Sequence, residues 1–407
     1  MIAPAGPVMI TPMSAARHSS SPPRRVVVAG GGPAAVETIL ALDDLAGDRF
    51  DVELITPAAE LVLRPYEVLA PFHEGLGRHY PLARIAADAN ARLVRDGVAV
   101  VDPTAKRIIT HTGAEHGYDE LVIAVGAQRV HPIAGALAFR DSTDANVLRA
   151  LLTESQSGRH RRFAFIVPGG ASWPLPMYEL AMQTAAWLGQ RGVHGMELML
   201  VSAEAEPLAA FGGVVSDEVA GLLEAHRIRF LRGQATRLRG DRLLLFGGEE
   251  IEVDSAITLP RLIGSRIAGL PTDRDGFLPV DAFGAVSEIE GVFAAGDATT
   301  FPIKQGGLAT QQADAIAEHL AALAGAPVDA HAFVPVLRAV LLAGLETRYL
   351  QAELGEGGET VSTVSNEALW SPPSKVFGRY LAPYLAAVDG ETSRTDFIDK
   401  IHQETRV

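Results

Sequence analysis

Two stretches of this chain carry residue types whose spacing could do chemistry. In Val26-Val27-Val28-Ala29-Gly30-Gly31-Gly32-Pro33-Ala34-Ala35-Val36-Glu37, a β-branched run ends in glycines and passes at once into helix-compatible residues, with the spacing Gly30-x-Gly32-x-x-Ala35. Gly30 permits a sharp turn, Gly32 lets backbone approach a pyrophosphate, and Ala35 lets a helix lie close to a strand. The free N–H groups and dipole of the helix that opens at Pro33-Ala34 would hold the anion. That is the chemistry of a dinucleotide site. The second stretch, Gly291-Val292-Phe293-Ala294-Ala295-Gly296-Asp297-Ala298-Thr299, reads as a strand ending at Gly296, with Asp297 offering a carboxylate to a polyol chain. Lys304-Gln305-Gly306-Gly307-Leu308 follows and enters a helix expected to run through Leu323; N–H groups at its N-terminus favour negative charge.

Other elements must position these groups. Phe50–Ile55 alternates as the second strand, and its end reads Ile55-Thr56-Pro57, so that Thr56 offers a hydroxyl where dinucleotide folds usually place a ribose-binding carboxylate. Glu53 is expected to be a solvated side chain. Arg64-Pro65 offers an arginine to a pyrophosphate. Val98–Val101 and Arg107–Thr110 form an expected strand pair, and Tyr118 to Ala127 contains a buried parallel strand. Val98 and the small residues Gly126 and Ala127 are expected along the ligand. A second strand and glycine turn begin at Arg162 and reach Gly169-Gly170, but Ala171-Ser172-Trp173-Pro174-Leu175-Pro176-Met177-Tyr178 intervenes before Glu179. The two prolines remove N–H donors from this turn. A β-α-β unit with Glu197–Val201 as its next strand is expected there, with Gly169, Gly170, Ser172, Trp173 and Glu179 about its pocket. Nicotinamide binding is left open, as is Glu204 as a ribose reader or a surface charge. Asp254–Pro260 should close this unit.

The chain has 407 residues, 48% of them hydrophobic, a net charge of −14 and no cysteine. Such a length implies two or three domains. The acidic balance disfavours nucleic acid as partner. Without cysteine there is no disulfide, thiolate metal site or redox-thiol relay. His79, His111, His116 and His131 show no metal spacing, and no metal is expected. Met1 to Pro23 reads as a flexible leader, no stretch is long and apolar enough for a transmembrane helix, and the expected location is cytoplasmic.

Taken together, Gly30-x-Gly32-x-x-Ala35, Tyr118-Asp119 leading to Val125-Gly126-Ala127, and Ala295-Gly296-Asp297-Ala298 resemble the two-dinucleotide-domain flavoproteins. These include type II NADH dehydrogenases, sulfide:quinone oxidoreductases and pyridine-nucleotide disulfide reductases. The resemblance spans roughly Arg25 to Leu323. It implies an α/β fold with two Rossmann-like three-layer domains and a small C-terminal antiparallel-sheet and helix module. It also implies FAD held by Gly30, Gly31, Gly32, Pro33, Ala34, Ala35, Arg64, Pro65, Gly296, Asp297, Gln305 and the backbone around Gly307-Leu308. The expected boundaries are 1–24 for the leader, 25–150 and 276–325 for the FAD-binding domain, 151–275 for the second domain and 326–407 for the C-terminal module.

The missing cysteines exclude the disulfide-reductase and sulfide:quinone activities as those families perform them. Gln311 or Gln312 could match the glutamines that type II NADH dehydrogenases place near quinone. The expected function is an FAD-dependent oxidoreductase moving two electrons from a small donor, NAD(P)H among the candidates, to a quinone-like or other small acceptor. An electron-transfer or regulatory subunit acting with a protein partner is the alternative, as is oxidation of a small organic substrate. Candidate catalytic residues are Lys304, expected near the isoalloxazine, with Glu67 and His73 as acid/base groups. In the C-terminal module, Phe333–Leu342, Thr347–Leu354 and Thr360–Val364 should form the sheet, extended by Glu367–Trp370. Ser371-Pro372-Pro373-Ser374 should open a helix whose face is Phe377, Leu381, Tyr384, Leu385 and Val388, with Lys375 and Arg379 nearby and acidic Glu391, Asp396 and Asp399 beyond. That helix could meet a membrane surface, a dimer partner or the protein's own core.

Overall fold

The computed structural model describes residues 22–73, 77–354 and 360–390. Most of the expected leader and the acidic residues Glu391, Asp396 and Asp399 lie outside them. The first strand, Arg24–Ala29, is buried on both faces along Val26-Val27-Val28-Ala29, as suits the middle of a parallel sheet. It lies between Phe50–Ile55 and Glu120–Ile123; Ala91–Val94 and Val292–Ala294 complete five parallel strands. The last of these arrives from beyond the second domain, so the chain leaves this sheet and returns to it. Helix Pro33–Ala46 covers one face and packs along helix Gly306–Leu323. The antiparallel strands Val98–Asp102, Arg107–Thr110 and Glu115–Gly117 stand on the other.

A second parallel sheet holds, in order, Leu137–Ala138, Ser255–Thr258, Arg162–Ile166, Glu197–Ser202 and Ile228–Arg232, with helices Leu175–Gln190 and Gly213–Ala225 against it. The antiparallel pair Ala127–Val130 and Arg261–Gly264 ties the two sheets together. The architecture is thus α/β with two Rossmann-like units and a C-terminal antiparallel sheet of Val336–Ala343, Glu346–Leu354 and Thr360–Ser365. Among the described residues, no helix is long and apolar enough to cross a membrane.

Three expectations are corrected. Glu53 is buried, with Arg92 at 2.8 Å and His116 at 3.0 Å. Residues 367–370 add no strand; Trp370 instead stacks edge-on to Tyr349 at 5.6 Å. The helix expected from Ser371 is only Leu381–Val388. The Glu37 carboxylate fixes its start by accepting from Tyr380 N at 2.8 Å and Leu381 N at 2.7 Å. Residues 371–380 run as irregular chain over the core. Leu381 and Leu385 are buried, and Tyr384 Oη donates to Asp88 at 2.7 Å, so this helix docks on the protein's own body.

Candidate functional site

The two glycine turns end in a common cleft of about 830 Å³, within the usual range for a cofactor or ligand site. At one end the strand Arg24–Ala29 stops and Gly30 turns away, its N–H donating to Ile55 O at 2.9 Å. Gly30 sits at φ +138°, and a Cβ there would stand 2.1 Å from Ala124 O. The helix behind it begins at Pro33, and no side chain caps it. Its first N–H groups and its dipole therefore face the cleft ready for an anion. Gly31, Gly32, Pro33 and Ala34 line the wall, and Ala35 is buried behind it, packing helix on strand. Thr56, Val98, Gly126 and Ala127 also line the cleft.

Arg64 and Pro65 reach the wall from the 3₁₀ turn Arg64–Leu69, and Gly296 and Asp297 from the turn after Val292–Ala294. A residue not anticipated, Arg129, joins them from the strand that ties the two sheets. Burial and the neighbouring Arg64 guanidinium push its pKa down, against the pull of Glu67, Asp141 and Asp297. Burial pushes the Asp297 carboxyl up, opposed by Lys304, Arg64 and Arg129. Two guanidiniums, an uncapped helix N-terminus and a close-approach glycine turn form a cradle that fits a pyrophosphate. A carboxylate faces the same space for hydroxyls. The residues present fit FAD.

Several candidates fall elsewhere. Lys304 is off the wall: its Nζ donates to Thr299 O and lies 4.0 Å from the Phe277 ring centroid, and burial lowers its pKa to about 8. His73 is not on the wall either. Gly307 and Leu308 are replaced on the wall by Gln305, Gly306 and Ala309, because Gln305 Oε1 caps the helix by accepting from Leu308 N at 2.9 Å. Gln311 and Gln312 are engaged within the fold: Gln312 Oε1 accepts from Gly296 N at 2.6 Å, and Gln311 Oε1 from Val336 N at 3.0 Å.

The other end of the cleft is closed by the second domain and the C-terminal module. Trp173, Leu175, Pro176 and Glu179 line it; Gly169, Gly170 and Ser172 do not. Trp173 packs on Phe211 at 5.8 Å. Glu179, almost fully buried, accepts from Lys375 Nζ at 2.7 and 2.8 Å and from Leu342 N at 2.9 Å. Burial raises the Glu179 pKa, with Lys375 opposing it. Lys375 Nζ also donates to Pro65 O at 2.9 Å. One ammonium thus bridges the 3₁₀ turn of the first domain and the helix of the second. Its sequence neighbours gave no hint of this, since a lysine among prolines and serines reads as surface. Glu67, 7% exposed, lies on the same wall, and burial pushes its carboxyl up despite Arg129 and Arg64. Glu204 is not a free surface charge: half-buried, its Oε2 accepts from Tyr178 Oη at 2.8 Å and Ser202 Oγ at 2.9 Å.

A family model for pyridine nucleotide-disulphide oxidoreductases matches residues 24–313. Human apoptosis-inducing factor 3 is 27% identical over 225 residues, which is 51% of this chain and 34% of that protein; the mouse protein is 26% identical over the same length. This chain spans about a third of the length of these curated relatives. Among solved structures, the sulfide:quinone oxidoreductase of Aquifex aeolicus superposes with a TM-score of 0.76 at 19% identity, covering 94% of this chain and 91% of that one. A ferredoxin reductase from Rhodopseudomonas palustris gives 0.62 at 18% identity, covering 81% and 83%. Those likenesses concern the fold. With its matched span, glycine cradle and Gly296-Asp297 turn, the chain belongs to the pyridine nucleotide-disulphide oxidoreductase family.

Proposed function

We propose that this chain passes two electrons from a small donor, through FAD, to a small acceptor without any cysteine relay. The observation that carries this is the continuity of one cleft from the pyrophosphate cradle to the buried Glu179–Lys375 pair, in a chain with no cysteine. FAD supplies the two-electron exchange when bound. Gly30, Gly32, Arg64 and Arg129 would bind it, and Asp297 would accept from its hydroxyls. Trp173 and Leu175 give the far end of the cleft an apolar face. Glu67 lines the same cleft, where burial pushes its carboxyl up against the pull of Arg129 and Arg64, and is the group assigned to exchange a proton there.

The test is the absorbance of the purified protein, followed by anaerobic reduction with dithionite and reoxidation with menadione. The expected result is a yellow protein that bleaches and recovers on addition of the acceptor. A protein that neither carries nor takes up FAD would overturn the reading. One that carries FAD but recovers only in the presence of a protein partner would overturn the small acceptor.

A further inference from the structure

The second Rossmann-like unit belongs to a family that uses nicotinamide dinucleotides, and its residues do not fit one. The two units can be aligned through their hydrogen bonds. In the first, Ala29 pairs with Ile55 and the next residue, Gly30, donates to Ile55 O; in the second, Ile166 pairs with Val201 and the next residue, Val167, donates to Val201 O. Val167 therefore stands where Gly30 stands, and a β-branched residue cannot take φ +138°. Only Gly30–Gly32 separate strand from helix in the first unit, whereas Val167–Pro174 do so in the second. The tight turn that would bring an anion between strand end and helix N-terminus is gone.

The helix N-terminus is altered as well. Pro174 is its N-cap and Pro176 lies in its first turn, so neither has an N–H, and Met177 N is already donated to Pro174 O at 2.9 Å. Beyond the next strand, the carboxylate placed to accept ribose hydroxyls is Glu204. It accepts from Tyr178 Oη at 2.8 Å and Ser202 Oγ at 2.9 Å, and Tyr178 Oη in turn accepts from Leu208 N at 3.2 Å. Both bonds fall on Oε2, so one oxygen of this half-buried carboxylate is already held by the domain's own hydroxyls.

Building on the proposed function, we infer that the second domain holds no nicotinamide dinucleotide, and that the two-electron donor is a compact molecule without an adenylate tail, admitted to the shared cleft beside Trp173 and Leu175. Two electrons leave that donor, which departs oxidised by two, and both reach bound FAD; the acceptor later removes both. The second domain then serves as a wall of the cleft.

The holoprotein is mixed anaerobically with NADH and then NADPH at about a millimolar, the upper range of ordinary KM values. Flavin absorbance should not change relative to buffer over minutes, while dithionite bleaches it fully. In parallel, calorimetric titration with ADP-ribose, the nucleotide tail without the nicotinamide ring, should give no saturable heat. Bleaching by either nicotinamide, or one-site ADP-ribose binding tighter than about a millimolar, overturns the inference and leaves the flavin reading intact. A protein without FAD would fail the proposed function instead; ADP-ribose could then enter the empty cradle of the first unit, so only binding heat that survives unchanged in Gly32→Ala would overturn the inference.

Discussion

A Cβ at Gly30 would stand 2.1 Å from Ala124 O, whereas one at Gly32 meets nothing within 4 Å. Two alanine substitutions two residues apart should therefore behave differently. Gly30→Ala forces the turn apart, and loss of both stability and FAD is expected. Gly32→Ala should keep the melting temperature of the apoprotein yet weaken FAD, because its methyl enters the space through which the anion approaches. A loss of about tenfold or more, ~1.4 kcal/mol, is expected by fluorescence of released flavin. Arg129→Ala removes one of two guanidiniums from the cradle; charged hydrogen bonds of this kind contribute about 1.5–3 kcal/mol, so FAD affinity should fall by roughly ten- to a hundredfold. At the far wall, Lys375→Met leaves Glu179 buried without its cation. Urea denaturation should show a loss of about 3–5 kcal/mol, recovered in good part by adding Glu179→Leu. The glycines were legible in the sequence because each answers a local backbone demand. Arg129 and Lys375 were not, because their roles depend on partners far away in the chain: Lys375 is defined by Glu179 and by the carbonyl of Pro65.

Between elements, one joint lies where helices Pro33–Ala46 and Gly306–Leu323 meet the segment leading into Leu381–Val388. Glu37 gives its carboxylate to two backbone N–H groups of that segment, and Asp314 on the neighbouring helix donates to Glu37. Burial and the Glu37 charge push the Asp314 pKa up to about 9. The folded chain therefore keeps a proton that the unfolded chain, with an aspartate pKa near about 3.9, releases. Stability from this proton is complete below about pH 4 and is lost as pH rises toward 9, at up to about 1.4 kcal/mol per pH unit. Asp314→Asn should remove that slope, so the parent loses stability relative to the variant between pH 5 and 8, as measured by urea midpoints at each pH. The parallel strands could be read in advance because burial on both faces writes continuous apolar runs such as Val26–Ala29. Residues 371–380 misled because proline suits a first helical turn; the buried bonds of Lys375 and the Glu37 cap, invisible locally, moved the helix start to Leu381.

Across the whole molecule, the cleft takes its walls from both Rossmann-like units and from the C-terminal module. A ligand filling it stabilises all three together. Adding FAD to apoprotein should raise a single cooperative melting transition by several degrees, since a ligand at a thousand times its Kd contributes about 4 kcal/mol. Separate transitions, of which FAD moves only one, would show that the units melt independently. The bridge made by Lys375 has a temporal consequence too. Synthesis runs from N- to C-terminus, so a nascent chain that has completed residues 24–313 already contains both parallel sheets and the glycine cradle, yet Glu179 still lacks its countercharge and Pro65 its donor. The far wall closes only once the ribosome has moved well past the last strand of the second sheet, so the cleft's cofactor cradle is in place before its opposite wall is complete.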